Sequence, residues 1–258
     1  MSTVRHIEQE KNGIYWVETP AHGSTSENVV ILIHGTLDRG AGMIRLAREV
    51  APTHTVVRID RRGYGRSWQH PGPYDARSQV ADIEMILDGR PGVVIGHSFG
   101  GHVALASADV LGPQIVGATT FESPLSWLPW WPAGTAGGQG VAAGPEHAAE
   151  AFMVALIGED KWRQLPERTR QERRREGRAL VGELGSLRAA APWSPSAITC
   201  PVVCGFGSHA KDHHRQSVQW LADNLPSVST SCIEGAYHGA HMSHPREFFA
   251  QLVQPHLV

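Results

Sequence analysis

One hexapeptide, Gly-His-Ser-Phe-Gly-Gly at 96–101, constrains the fold more than any other part of the chain. It follows the short apolar run 93–95 and precedes the small-residue run 103–108, so the sequence predicts a strand, a sharp turn and a helix. Glycines two residues either side of Ser98 allow helix and strand to approach closely around a strained serine. Such a turn exposes the Ser98 hydroxyl and places the Phe99 amide at a helix N-terminus, where negative charge is stabilised.

Apolar runs of strand length recur along the chain, with helical segments between them. The runs cover 14–17, 29–33, 55–59, 93–95, 115–121, 202–206 and 228–233. Helical spacing of apolar residues predicts helices over 41–50, 74–87, 98–110, 213–225 and 244–257. This alternation predicts an α/β fold in which helices flank a mostly parallel central sheet.

The long interval between the fifth and sixth of these runs breaks the rhythm, because it contains no convincing strand. We interpret 123–196 as a helical cap inserted into a core formed by 1–122 and 197–258. A Gly/Ala-rich stretch at 133–144 predicts a flexible first half of this cap.

Two groups of side chains in the cap suggest contacts with a ligand. Trp127, Trp130 and Trp131 stand among prolines at its start and favour an apolar or aromatic substrate; an equally weighted alternative is that they pack the lid onto the sheet. The arginines of 168–178 are interspersed with glutamates, which favours a solvated helix face with intrahelical ion pairs over a site for a carboxylated or phosphorylated substrate.

Composition limits the partners and the compartment. The chain has 258 residues, a formal net charge of -2 at pH 7 and a sequence pI near 6.7, which gives no electrostatic reason to expect nucleic acid or a membrane as partner. Residues 1–12 lack the apolar stretch of a signal peptide and no run reaches membrane-spanning length, so a cytoplasmic protein is expected. Cys200, Cys204 and Cys232 lie in strand-like runs and are predicted to be reduced core thiols, with no role in metal binding.

A serine hydroxyl becomes a useful nucleophile when an imidazole accepts its proton and a carboxylate orients that imidazole. The segment Ile-Glu-Gly-Ala-Tyr-His at 233–238 places His238 on a loop after the last strand, so His238 is the candidate base. His241 and His244 follow at spacings that could suggest a metal site. The segment before Pro245 is predicted to be a loop, which does not align the three rings, so we predict no metal.

At this point the chain resembles the α/β-hydrolase superfamily along nearly its full length. The motif Ile-Leu-Ile-His-Gly at 31–35 is similar to the family's strand that ends in a His-Gly turn, and 60–67 resembles its Asp-x-Arg-Gly-x-Gly-x-Ser loop. The resemblance implies an α/β-hydrolase fold and an oxyanion hole formed by the amide of Phe99 with that of Thr36. Two further residues of the turn are candidates, Gly35 as an oxyanion donor and His34 as a substrate contact.

The triad acid departs from the commonest pattern of this superfamily. Many members have Gly-x-x-Asp where this chain has Gly-Phe-Gly-Ser at 205–208, so a serine occupies the expected acid position. Glu122 lies at the tip of the preceding strand, where enzymes resembling the zearalenone-type lactonases carry their acid, and it is the favoured candidate. Asp212 is the alternative, although it would also make a good N-cap for a helix beginning at His213. Glu122 could instead pair with a cap arginine.

The resemblance implies a cofactor-free serine hydrolase that cleaves a small carboxylic ester or lactone through an acyl-enzyme on Ser98. Thioester hydrolysis, carbon-carbon bond cleavage and perhydrolysis would suit the same triad. A hypothesis of another class is a hydrolase-fold receptor or binding protein for small molecules with little turnover. Its sequence support is the serine at position 208. The oligomeric state has no sequence signature.

Overall fold

A computed structural model describes residues 6–21, 26–135 and 141–257 of the chain. Within these ranges the strands are β1 (Ile7–Lys11), β2 (Ile14–Thr19), β3 (Val29–Ile33), β4 (Thr55–Asp60), β5 (Gly92–His97), β6 (Ile115–Phe121), β7 (Val202–Gly207) and β8 (Val228–Ile233). They form one sheet in the order β1-β2-β4-β3-β5-β6-β7-β8. The β1/β2 and β2/β4 pairs are antiparallel, and every other pair is parallel.

Helices cover both faces of this sheet. They are α1 (Ile44–Val50), α2 (Val80–Leu87), α3 (Phe99–Leu111), α4 (Pro145–Ile157), α5 (Glu159–Gln164), α6 (Glu167–Arg175), α7 (Gly177–Ala189), α8 (Asp212–Asn224), α9 (Ala240–Ser243) and α10 (Pro245–Phe248). Alternate residues of β3 serve opposite faces: Ile31 packs in one apolar cluster with α2, α3 and α8, and Leu32 packs in another with α1 and α10. The predicted mostly parallel sheet flanked by helices is therefore confirmed.

The sequence did not predict the first strand. β1 is half-exposed to exposed along its length and pairs only with β2 at the edge of the sheet. Its sequence, Ile-Glu-Gln-Glu-Lys, offers no apolar run because neither of its faces is buried. Charged side chains of this kind are a common protection of an edge strand against pairing with another chain.

Two of the predicted helices differ from the structure. The helix expected over 74–87 begins only at Val80, because the preceding residues form turns closed by a hydrogen bond from the Ser78 amide to the Asp75 carboxylate. The helix expected over 244–257 is divided into α10, a π-helical turn and a short 3-10 turn. Pro245 excludes its preceding residue, His244, from helical backbone angles, so a continuous helix cannot start there.

The segment that the sequence marked as a cap contains α4, α5, α6 and α7, within 141–189. Ala148 and Leu180 of these helices pack with Leu37 and Tyr64 of the sheet-side loops in a third apolar cluster. The helices thus cover the loops that follow β3 and β4. Part of the predicted flexible stretch at 133–144, residues 136–140, lies outside the described residues, as do residues 1–5 of the N-terminal stretch.

The arginine cluster of α6 makes the predicted intrahelical ion pairs and also contacts the core. Arg168 pairs with Glu172 at 3.1 Å, one helical turn apart. Arg39, from the loop after β3, pairs with Glu172 at 3.0 Å and with the buried carboxylate of Glu176 at 3.1 Å. The cluster is therefore more than a solvated face, because part of it attaches α6 to the core.

The three cysteines are free thiols, as predicted, and only one is fully buried. Cys204 lies inside β7, where burial raises its pKa above the ordinary value, whereas Cys200 is half-buried and Cys232 is exposed. The prediction that all three lie in the core is wrong for Cys232, because β8 is the edge strand and turns one face to solvent. Among the described residues, no helix combines the length and apolar character needed to cross a membrane.

Candidate active site

Ser98 occupies the turn between β5 and α3 with φ 53° and ψ -123°, a region that non-glycine residues rarely adopt. The neighbouring glycines are sterically required. A Cβ on Gly96 would lie 2.3 Å from the carbonyl oxygen of Gly100, and a Cβ on Gly100 would lie 2.3 Å from that of Ile33. The strained turn therefore depends on close backbone contact between β5, α3 and β3, as the sequence predicted.

The His-Gly turn after β3 lies directly against this serine. A Cβ on Gly35 would lie 3.0 Å from the Ser98 Cβ, so only glycine permits the approach. The amides of Thr36 and Phe99 donate no hydrogen bond to any described residue. Phe99 is also the first residue of α3, where the helix dipole favours negative charge. Two unpaired N–H groups beside a serine are the arrangement that an oxyanion requires.

Glu122 and His238 are in direct contact. The Nδ1–H of His238 donates to Oε2 of Glu122 at 2.7 Å, and the amide of Gly207 donates to Oε1 at 3.0 Å. The carboxylate is almost completely buried, whereas the His238 side chain is 31% exposed. Nε2 of His238 makes no hydrogen bond within the described part of the chain. Glu122 therefore fixes the tautomer that leaves Nε2 able to accept a proton.

The alternative acid and the serine at the expected acid position lie elsewhere. Asp212 is an exposed residue that opens α8. The predicted N-cap role of Asp212 is wrong, because Lys211 occupies that position without a side-chain cap. The hydroxyl of Ser208 donates to Glu234 at 3.1 Å and accepts from the amide of Gly235 at 2.9 Å. Ser208 thus supports the loop that carries His238.

Two further histidines surround His238. Nε2–H of His97 donates to the backbone carbonyl of His238 at 2.9 Å, and the two rings lie 4.5 Å apart. His214 of α8 stacks on the His238 ring at 5.1 Å. Neither His97 nor His214 was predicted from the sequence to belong to the site. The only sequence signal for His97 was its place before Ser98, and His214 had none.

His34 does not face a substrate. Its ring is fully buried; Nδ1–H donates to the Gly35 carbonyl at 2.7 Å, and Nε2 accepts from the Arg61 amide at 3.0 Å. Burial lowers the pKa of His34 to about 3, with a smaller contribution from the Arg61 charge, so the ring is neutral. With both nitrogens occupied, His34 joins the turn after β3 to the loop after β4, which contradicts the predicted substrate contact.

Trp127, Trp130 and Trp131 were predicted either to contact a substrate or to pack the segment after β6 onto the sheet, and the structure shows two different environments for them. Trp127 packs edge-on against Trp193 at 5.6 Å, and Trp130 packs on the same apolar cluster, so both attach the segment after β6 to the core. Trp131 lies 4.6 Å from the ring of His213 and 5.6 Å from that of His214. Of the three, Trp131 is the one whose ring contacts the histidines beside His238.

Comparisons with known proteins show the family of this chain. The sequence profile described as "Alpha/beta hydrolase family" matches residues 30–252. The chain belongs to this family. The match includes both candidate oxyanion turns, the serine turn and the histidine loop, so the resemblance stated from the motifs is confirmed.

Among curated proteins, "Lipase LipV" of Mycobacterium tuberculosis is 36% identical over 109 residues, which is 41% of this hydrolase-family chain and 41% of that protein. The chain thus spans about two fifths of the length of this relative. Among solved structures, MenH from S. aureus has a TM-score of 0.72 at 18% identity, covering 94% of this chain and 97% of that one. A thermophilic esterase from Thermogutta terrifontis has a TM-score of 0.70 at 19% identity, covering 95% and 96%. These two likenesses concern the fold.

Among the residues that the structure describes, two side-chain groups could hold a metal ion. One combines Glu122, His214 and His238, and the other combines Asp38, His97 and His241, with the ligand atoms of each group within 4.8 Å of one another. His244, which the sequence placed in a candidate trio, belongs to neither group. The first group shares its carboxylate and imidazole with the hydrogen-bonded Glu122–His238 pair.

A carboxylate from α7 reaches the turn after β3. Glu183 of α7 is fully buried and accepts hydrogen bonds from the Thr36 hydroxyl at 2.9 Å and the Tyr64 hydroxyl at 2.8 Å. It also forms an ion pair with the buried guanidinium of Arg61, which in turn donates to the His34 carbonyl at 2.8 Å. The position of the Thr36 turn therefore depends on a residue 147 positions later in the sequence.

We expect Glu183→Gln to destabilise the fold, because the substitution leaves the buried Arg61 charge without its partner. Breaking a buried pair in this way typically costs about 3 kcal/mol. Urea denaturation monitored by tryptophan fluorescence measures the loss. The matched control is Glu159→Gln, which removes an exposed ion pair to Arg163 and should change stability by less than about 0.5 kcal/mol. Equal effects of the two substitutions would contradict the structural role of Glu183.

We also expect acid to destabilise the protein through His102, a buried residue of α3. Its Nε2–H donates to the Pro124 carbonyl at 2.8 Å and Nδ1 accepts from the Trp193 indole at 3.2 Å, so the neutral ring is fully paired. Burial lowers its pKa to about 4. An unfolded histidine titrates near 6.5, so this stabilisation is complete above that pH and is lost as the pH falls towards 4.

The loss from His102 amounts to about 2 kcal/mol at pH 5. Denaturant unfolding of the wild type and of His102→Gln at pH 7.5 and pH 5.0 isolates this contribution, because other buried histidines titrate in both proteins. The difference between the two pH values should be smaller in the variant. An identical pH dependence in both proteins would show that His102 is not responsible.

Proposed function

We propose that this protein is a serine hydrolase that cleaves a carboxylic ester or a lactone through an acyl-enzyme on Ser98. The observation that carries this proposal is the 2.7 Å hydrogen bond between Glu122 and His238. His97, the residue before Ser98, donates a hydrogen bond to the backbone of His238 and so holds the histidine loop beside the serine turn. A buried carboxylate that orients a partly exposed imidazole serves nucleophilic catalysis, because it stabilises the imidazolium formed when the serine is deprotonated.

In the proposed reaction, the Ser98 hydroxyl attacks the substrate carbonyl while His238 Nε2 accepts its proton. The amides of Phe99 and Thr36 stabilise the oxyanion, and each such donor is worth about 3 to 4 kcal/mol at the transition state. His238 then protonates the leaving alkoxide, which leaves the acyl group on Ser98. A water molecule deprotonated by His238 then attacks the acyl carbonyl. The bond to the Ser98 oxygen breaks, His238 returns the proton to that oxygen, and the carboxylic acid product is released.

The proposed substrate is small and carries an apolar or aromatic group. Trp131 and the rings of His213 and His214 form an aromatic surface beside His238, and such a surface favours an apolar acyl or alcohol group. The partial match to a protein named as a lipase supports an ester substrate. Lactones are included as substrates because Glu122 follows β6, the position at which enzymes resembling the zearalenone-type lactonases carry their acid.

The test is hydrolysis of p-nitrophenyl esters of increasing acyl length, together with small and large lactones, by the wild type and by Ser98→Ala. We expect turnover of at least one class by the wild type alone. A protein that binds these compounds, as seen by calorimetry, but releases no product would support a receptor and overturn the esterase and lactonase proposal.

A further inference from the structure

One cavity of the described structure lies away from the candidate catalytic residues. It has a volume of about 580 Å³, within the range that holds small organic ligands. Its walls come from β2 and β4 on one side and from α6 of the cap on the other, and none of the residues assigned above to catalysis lines it. The residues that bear on its chemistry are Tyr15, Arg39, Arg58, Trp68, Arg168 and Arg175.

Arg58 is the most unusual group in this cavity. The residue is 9% exposed, and its one hydrogen bond runs from NH1 to the carbonyl of Gly40 at 3.0 Å. Within the described residues it has no carboxylate partner. Burial lowers the pKa of Arg58, and the charge of Arg48 adds to this effect, while Asp60 and Tyr15 oppose it. A buried guanidinium without an anion is costly, so the site is incomplete as it stands.

Two further arginines of the cavity have N–H groups that are free to bind a ligand. Nε of Arg39 is buried and has no hydrogen-bond partner. Arg175 of α6 stacks over the Trp68 ring at 4.3 Å and has no ion pair in the part of the chain that the structure describes. Guanidinium groups recognise phosphate and carboxylate through paired hydrogen bonds, which requires such free N–H groups.

The carboxylates that line the cavity are fewer than its arginines. Five arginines face three carboxylates there. Asp60 accepts from the amides of Gly40 and Arg66 at 2.7 and 2.8 Å. Glu172 is paired with Arg39 and Arg168, and Glu8 is paired with Arg66. Glu8 and Glu172 are thus paired with arginines, whereas Asp60 influences Arg58 through its charge and forms no ion pair with it. Among the described residues, Arg58 and Arg175 therefore have no ion-pair partner.

We propose that this cavity binds a small organic dianion, a phosphate monoester or a dicarboxylate, between the sheet and helix α6. Arg58 binds the anion from the core side and Arg175 binds it from the cap side, with the rings of Tyr15 and Trp68 beside them. Because the two walls belong to different parts of the fold, the bound anion holds α6 against the sheet. The site is independent of the proposed esterase or lactonase reaction.

Isothermal titration calorimetry with phenyl phosphate, phthalate, inorganic phosphate and uncharged benzyl alcohol tests the proposal. We expect saturable binding of one phenyl phosphate or one phthalate per chain, weaker binding at high salt and none of benzyl alcohol. The preference between the first two probes distinguishes a phosphate ligand from a dicarboxylate. Thermal unfolding should shift upward with the same probes.

The variants are Arg58→Gln, expected to weaken binding by at least about tenfold, and Arg175→Gln, expected to weaken it by about fivefold. Arg175 is exposed, so its substitution leaves folding intact if Arg58→Gln does not fold. Arg163→Gln, which removes an equal charge from exposed α5 outside the cavity, is the matched control. Two results would overturn the proposal. One is the absence of binding by the wild type at probe concentrations up to about 10 mM, on the order of the weakest ligand affinities. The other is an equal loss of binding affinity in Arg163→Gln and Arg175→Gln.

Discussion

Replacing Ser98 with alanine should lower kcat for any ester or lactone that the wild type hydrolyses by at least about 10⁴-fold. The physical reason is that no other hydroxyl occupies the strained turn between β5 and α3, beside the unpaired amides of Thr36 and Phe99. KM should change little, because the substitution removes one oxygen and leaves the surrounding turn unaltered. Steady-state kinetics on the best substrate of the ester and lactone panel measure the effect.

A second measurement identifies the nucleophile directly in the wild type. A fluorophosphonate probe should label the wild type at Ser98, with fluoride as leaving group, and intact-mass spectrometry should show one adduct per chain. Ser98→Ala should take no label, whereas the exposed control Ser196→Ala should react as the wild type does. Retained turnover in folded Ser98→Ala would exclude the acyl-enzyme mechanism.

The parts of the fold that were predictable from sequence are those whose residues are close together in the chain. The hexapeptide at 96–101 contains the strand end, the turn and the helix start, and the structure places them as expected. β1 was not predictable, because it forms a strand through its pairing with β2, whereas its own sequence presents no apolar face. The division of the predicted helix 244–257 into three short segments was also missed, although Pro245 and Pro255 lack the amide that a continuous helix requires.

The parts of the candidate site that escaped prediction depend on contacts between distant residues. Glu183 reaches the Thr36 hydroxyl across 147 positions, and nothing in its helix distinguishes it from a surface glutamate. His34 belongs to a family motif that indicated a substrate contact, but its two ring nitrogens are hydrogen-bonded to the Arg61 amide and the Gly35 carbonyl. Motif spacing locates a residue on the fold, whereas the direction of its side chain depends on partners elsewhere.

The choice between Glu122 and Asp212 as triad acid gives the second large expected effect. Glu122→Gln should lower kcat by about 10³- to 10⁴-fold, because an amide cannot stabilise the imidazolium of His238 and favours the wrong tautomer. The variant keeps the shape of the side chain and an oxygen for the Gly207 amide, so the fold should persist. The matched control, Asp212→Asn, removes the same charge from an exposed position and should stay within about twofold of the wild type.

The contacts after β7 explain why a serine at position 208 is compatible with the site. Ser208 supports Gly235 and Glu234 at the base of the histidine loop, and the Gly207 amide donates to Glu122, so the residues after β7 serve the loop and the acid without supplying a carboxylate. A Cβ on Gly207 would lie 2.2 Å from the Ala236 carbonyl oxygen, so the close approach of these two backbone segments requires glycine. If Asp212→Asn were the inactive variant, α8 would have to move to bring its first residue to His238, and the hydrogen bond of Glu122 would be structural only.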